Sequence, residues 1–120
     1  MRHLTITLQS DWRSALRAVG AKAARGAANG RYQGETLNFE APAQFFGQLT
    51  ENRWDIVRRM QGAEAMSVRE LARRVARDPK RVLDDVRVLI DLGLVEKTPD
   101  EKIVCPFADI HVDMHLAVAA

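Results

Sequence analysis

Between Ser67 and Arg81 the chain carries six basic residues, Arg69, Arg73, Arg74, Arg77, Lys80 and Arg81, against two acidic ones, Glu70 and Asp78. At this density the cations suit phosphate, since each arginine offers a planar fork of donors and each lysine a compact charge. The balance reverses in residues 93–120, which hold two basic and five acidic side chains, so a formal net charge of +2 conceals a concentrated basic patch. A second constellation, His111, Asp113 and His115, alternates along one candidate strand, and two imidazoles with a carboxylate are legitimate zinc or iron ligands. No HExxH helix accompanies them and the only other histidine is His3, so a polar strand face is expected there, with no metal and no cofactor. Gly-rich phosphate loops, nucleophile elbows and paired-cysteine motifs are lacking as well, which argues against an enzyme and leaves no catalytic residue to nominate.

The elements that must position the basic patch are legible from period and punctuation. Ser67-Val68-Arg69-Glu70 is a capping box at the start of a helix whose buried stripe is Val68, Leu71, Ala72, Val75 and Ala76. Asp78 is a strong N-cap and Pro79 is favoured at the first helical position, so "DP" closes one helix and opens the next. That next helix buries Val82, Leu83, Val86, Leu89 and Ile90, and Gly93 is placed for a left-handed C-cap. Upstream, Thr50 begins a helix through Met60 that Gly62 ends; downstream, "LVEKT" and "KIVCPF" flank "PDE" as a hairpin, and "IHVDMHL" alternates as a third strand. Three helices followed by a hairpin is the order of a winged helix-turn-helix domain, expected over residues 50–120.

With Val86 at the centre of the buried face, Arg81, Asp84 and Val88 fall opposite, flanked by Lys80, Arg87 and Asp91. In helix-turn-helix proteins the start of the second helix meets base edges, which puts Lys80, Arg81 and Asp84 at the reading positions. Arg69, Arg73, Arg74 and Arg77 on the preceding element suit phosphates that fix register, although Glu70 stands three and four residues before Arg73 and Arg74 and can pair with them. The expected DNA-contacting set is therefore Ser67, Arg69, Arg73, Arg74, Arg77, Pro79, Lys80, Arg81, Asp84 and Arg87, with Lys97 and Lys102 from the hairpin, whose acidic tip at Asp100 and Glu101 suits a mainly structural wing. Asp84, Asp85 and Asp91 sustain an alternative, a winged-helix protein–protein interaction module without DNA binding.

The first 49 residues read as a strand-helix-strand arm. "HLTITLQ" alternates Leu4, Ile6 and Leu8 with threonines; Ser10 and Asp11 open a helix carrying Trp12, Leu16, Val19 and Ala23; and "ETLNFE" is a second strand. Pro42 then starts a short helix expected to turn Phe45, Phe46 and Leu49 inward. The whole is an α/β (α+β) chain: at 120 residues and 47% apolar it can bury one modest core, so the arm must pack on its neighbour or on a second copy, and a homodimer is expected. One cysteine, Cys105, excludes an intrachain disulfide, and no signal peptide or run of ~20 apolar residues is present, which gives the expectation of a cytoplasmic protein without a membrane partner.

These features together resemble MarR-like winged-helix transcriptional regulators of bacteria and archaea, some of which are antitoxins encoded beside a small toxin. The carriers are the "LTITL" strand with its helix, "TENRWDIVRRM", "SVRELARRVARDPKRVLDDVRVLIDLGLVEK" and "IVCPFADIHVDMHL", nearly the whole chain. The resemblance implies an autorepressor that binds double-stranded operator DNA, usually as a dimer, and in toxin-linked members a second surface that holds the toxin inactive.

Overall fold

A computed structural model of the chain describes residues 2–8 and 34–115. In chain order these form β1 (Arg2–Leu8), β2 (Glu35–Phe39), α1 (Pro42–Gln48), α2 (Glu51–Met60), α3 (Val68–Val75), α4 (Pro79–Leu92), β3 (Glu96–Lys97), β4 (Ile103–Val104) and β5 (Phe107–Asp113). The architecture is mixed α/β, with four helices among the described residues. The helix expected from Ser10, and the glycine-rich stretch after it, lie outside them. Two compact units divide the chain: Met1–Gly47 with Asp109–Ala120, and Gln48–Ala108.

In the first unit the strands order as β2-β1-β5. The period-2 pattern of β1 works as its sequence demands, with Leu4 and Ile6 buried. β1 and β2 run parallel from Leu4↔Glu35 to Leu8↔Phe39. The pair is tied at its ends by Arg2, whose Nε donates to Glu35 Oε2 at 2.9 Å, and by the Thr7 hydroxyl, which donates to Asn38 Oδ1 at 2.7 Å. Gly34 leads into β2 at φ +90, a backbone conformation that favours glycine, and an added Cβ would press on the His3 carbonyl oxygen at 3.1 Å. Phe39 and Phe45 are buried and meet edge to face, 5.6 Å between centroids. Phe46 departs from expectation. It sits about 100° around α1 from Phe45 and is 59% exposed, with its ring against Phe45.

The second unit carries the larger set of buried side chains: Ile56, Val57 and Met60 from α2, Leu71 and Ala72 from α3, Val82, Val86 and Leu89 from α4, then Leu94, Val95 and Ile103. Its helices begin and end where local chemistry dictates. Ser67 Oγ accepts the Glu70 N–H at 3.1 Å, and Asp78 Oδ2 accepts the Arg81 N–H at 3.4 Å with Pro79 behind it. The capping box is closed on one side only, because the Glu70 carboxylate turns to Arg73 and Arg74 instead. Thr50 holds the N-cap position of α2 in an extended conformation but makes no side-chain capping bond.

Both α3 and α4 end in the same left-handed turn. At Gly93 (φ 85) the Leu94 N–H reaches the Leu89 carbonyl, and at Ala76 (φ 56) the Arg77 N–H reaches the Ala72 carbonyl. Ala76 is thus an exposed cap and not part of the buried stripe of α3. β3 and β4 pair antiparallel, Glu96↔Val104 and Lys97↔Ile103. Met66 adds a single antiparallel bridge to Ile103 through two backbone hydrogen bonds of 3.0 and 2.8 Å, which seats the entry to α3 against the hairpin.

Candidate nucleic-acid interface

α3 and α4 are joined by three residues, so the side chains at the end of one and the start of the other belong to a single surface region of the second unit. Because Asp78 and Pro79 fix the first turn of α4, Lys80 and Arg81 stand at its N-terminal end, both exposed. Neither has an acidic partner among the described residues, and the same holds for Arg69 near the start of α3 and Lys97 on β3. Among the described residues these four are the cations whose charge is open to a ligand. The positive end of the α4 dipole adds to the field that Lys80 and Arg81 create.

The other cations expected here are engaged. Arg73 grips Glu70 with two N–H groups, Nε to Oε2 at 2.9 Å and Nη2 to Oε1, and Arg74 Nε reaches Oε1 at 3.0 Å. Hydrogen bonds from Arg73 and then Arg74 hold the Glu70 carboxyl down at about 2, and the same contact raises Arg73 above its ordinary value. Arg87 lies 3.9 Å from Asp84, an exposed pair one turn along α4. Lys102 lies 3.8 Å from Asp100, whose carboxyl is lowered chiefly by the Thr98 hydroxyl. Ser67 and Pro79 are exposed cap residues, and Val88, opposite the buried face, is half-buried. A cleft of about 280 Å³ opens between α3, α4 and the hairpin, with Val68, Leu83 and Ile90 in its walls and Arg87 and Lys97 as its cations.

Arg77 is different in kind. Its Nη2 donates to Asp85 Oδ2 at 2.9 Å, while Arg53 Nε donates to the other oxygen, Oδ1, at 3.0 Å. All three side chains are largely covered, at 24% exposure for Arg77, 14% for Asp85 and 20% for Arg53. Arg77 is therefore not the open surface cation, nor Asp85 the surface acid, that their sequence positions suggest, and Arg53 joins them from α2. A partner 32 residues away leaves no local signal; the one available hint was that Asp85 falls between Val82 and Val86 on the edge of the buried stripe.

His111, Asp113 and His115 are exposed on and just beyond β5, and among the described residues no three His, Cys, Asp or Glu side chains gather as a metal set. Cys105 is buried, which pushes its thiol up, and its Sγ lies 3.8 Å from the Phe107 carbonyl oxygen. Among the described residues no helix is long and apolar enough to cross a membrane.

The second unit is thus three helices followed by a short antiparallel hairpin, with open cations at the start of its last helix. Residues 48–112, more than half of the chain, match the HVO_A0114 family model, and the chain belongs to that family. No curated protein and no solved structure matches it.

Proposed function

We propose that the protein is a sequence-specific DNA-binding transcriptional regulator of the winged helix-turn-helix type, with α4 as the helix that enters the major groove. The observation that carries this reading is the first turn of α4, where Lys80 and Arg81 are exposed and without an acidic partner among the described residues. In that docking geometry these positions meet base edges, and a lysine or arginine there favours guanine O6 and N7. Arg69 and Lys97, also open, supply phosphate contacts, and Arg73, Arg74 and Arg87 join them by exchanging a carboxylate for a phosphate. The resemblance to MarR-like regulators supports repression of the protein's own gene.

The test is titration of the protein against its own upstream DNA over a series of salt concentrations. A steep linear fall of log K with log salt is expected, its slope set by the number of phosphates neutralised. A flat response points instead to the protein-interaction module, a reading favoured by the neutralisation of Arg73, Arg74 and Arg77 within the chain.

A further inference from the structure

We infer that Asp85, held between Arg53 and Arg77, is a positioning residue that fixes how α4 presents Lys80 and Arg81, so that Arg77 serves DNA recognition without touching DNA; this rests on the reading just proposed. Each carboxylate oxygen of Asp85 takes one arginine, Arg53 Nε at 3.0 Å and Arg77 Nη2 at 2.9 Å. The three residues come from α2, from the turn between α3 and α4, and from α4 itself. Arg53 is anchored in turn by Nη1, which donates to the Gln48 carbonyl oxygen at 2.7 Å.

Burial gives the network its meaning. Arg77 Nη1 is fully covered and has no hydrogen-bond partner, so this guanidinium has left water for a geometry that does not satisfy it completely. A covered ion pair adds little stability over apolar residues of the same shape, while its directional bonds tolerate few alternative arrangements. The contacts of the buried Val82, Val86 and Leu89 are non-directional and set no orientation of their own; a carboxylate with both oxygens hydrogen-bonded does. Asp85 lies one turn beyond Arg81, and a roll there displaces the reading side chains directly. Base contacts depend on that placement far more than phosphate contacts do.

The experiment uses the full chain and a duplex selected from a random-sequence library by the wild-type protein, with single-base variants of that duplex. Arg77→Lys keeps the charge but loses the planar fork, and is measured beside Asp85→Asn at a temperature where circular dichroism shows the protein folded. The expected result for Arg77→Lys is a roughly tenfold loss of discrimination spread over several positions of the duplex, with the slope of log K against log salt unchanged. Discrimination equal to wild type overturns the inference, as does a sequence-independent loss with a shallower slope, which would make Arg77 a phosphate contact. Asp85→Asn combined with Arg77→Lys is expected to be no worse than the poorer single variant, and fully additive losses also overturn it. If Asp85→Asn does not fold, the Arg77→Lys comparison decides alone. Failure of the wild type to select any duplex overturns the proposed function and this inference together, which separates that outcome from failure of the inference alone.

Discussion

Charge at the level of single residues is governed by what each cation already holds. Arg81 has an open guanidinium, whereas Arg73 gives two N–H groups to Glu70. Arg81→Ala is therefore expected to weaken DNA binding by about 1–3 kcal/mol and to relax preference at one operator position, while Arg73→Ala acts on all sequences alike and lowers the salt slope by less than about one unit. Glu70→Gln makes the complementary case. It removes the carboxylate that competes with phosphate for Arg73 and Arg74, so binding should tighten for every sequence, and the slope should steepen by up to about two units to the extent that the exchange is incomplete in the wild type. Titrations at two salt concentrations check all three variants, and an unchanged affinity together with an unchanged slope in Glu70→Gln would remove both arginines from the interface. The same carboxylate sets a pH dependence. Its value falls from the ordinary 4.5 to about 2 on folding, so folding favours the ionised form, and the stabilisation it contributes is complete above about pH 4.5 and lost as pH falls through about 2. Urea unfolding of wild type and Glu70→Gln across that window should show a difference that closes on the acid side, small because the pair is exposed.

The ends of the helices separate what is legible in the sequence from what is not. Ser67, Asp78-Pro79 and Gly93 were readable because a cap is made within a few residues of itself, and residue type alone reports it. Ala76 was not readable: alanine favours helix interiors, and nothing in its residue type reports the left-handed φ of 56 with which it ends α3. Met66 likewise forms one bridge with Ile103, too short to show any alternation. Strand β5 (Phe107–Asp113) overlaps "IHVDMHL" only from Ile110 to Asp113, and its place beside β1 carried no signal at all, since partners far apart in sequence share no periodicity. The basic patch was legible as composition, and the pairing of Glu70 with Arg73 and Arg74 from its three- and four-residue spacing; the engagement of Arg77 was not, because it depends on Asp85 and Arg53 meeting in three dimensions. The contrast between Ala76 and Gly93 makes a prediction at this scale. A non-glycine residue in the left-handed region costs about 1–2 kcal/mol, partly offset by the greater freedom glycine restores to the unfolded chain. Ala76→Gly should therefore raise stability by about 0.5–1 kcal/mol and the melting temperature by a few degrees in a thermal scan. A fall in melting temperature would mean that the exposed Ala76 methyl contributes more than its backbone strain removes.

For the molecule as a whole, the consequential fact is that the unit from Gln48 to Ala108 has buried side chains from each of α2, α3 and α4, together with Ile103 from the hairpin. A chain of that length buries only about 60% of its unfolded surface, so the isolated fragment should fold with marginal stability, seen as a cooperative but early melting transition. Under the proposed function it presents one α4 and therefore one half-site reader. Two-fold operators are read by symmetric pairs whose readers lie one helical turn apart, and we propose that the first unit, whose described residues include paired strands and the exposed Phe46, makes that pair. The full chain is expected to scatter light as a dimer at micromolar concentration and the fragment as a monomer. Both should bind DNA with salt dependence, but the fragment should lose roughly a hundredfold or more in affinity for a palindromic duplex, since linkage converts the second half-site contact into an intramolecular one. The fragment's loss on a single half-site duplex should be much smaller. A full chain that remains monomeric yet binds the palindrome tightly, or a fragment that matches it there, would remove the first unit from operator recognition and place the pairing surface between residues 48 and 108.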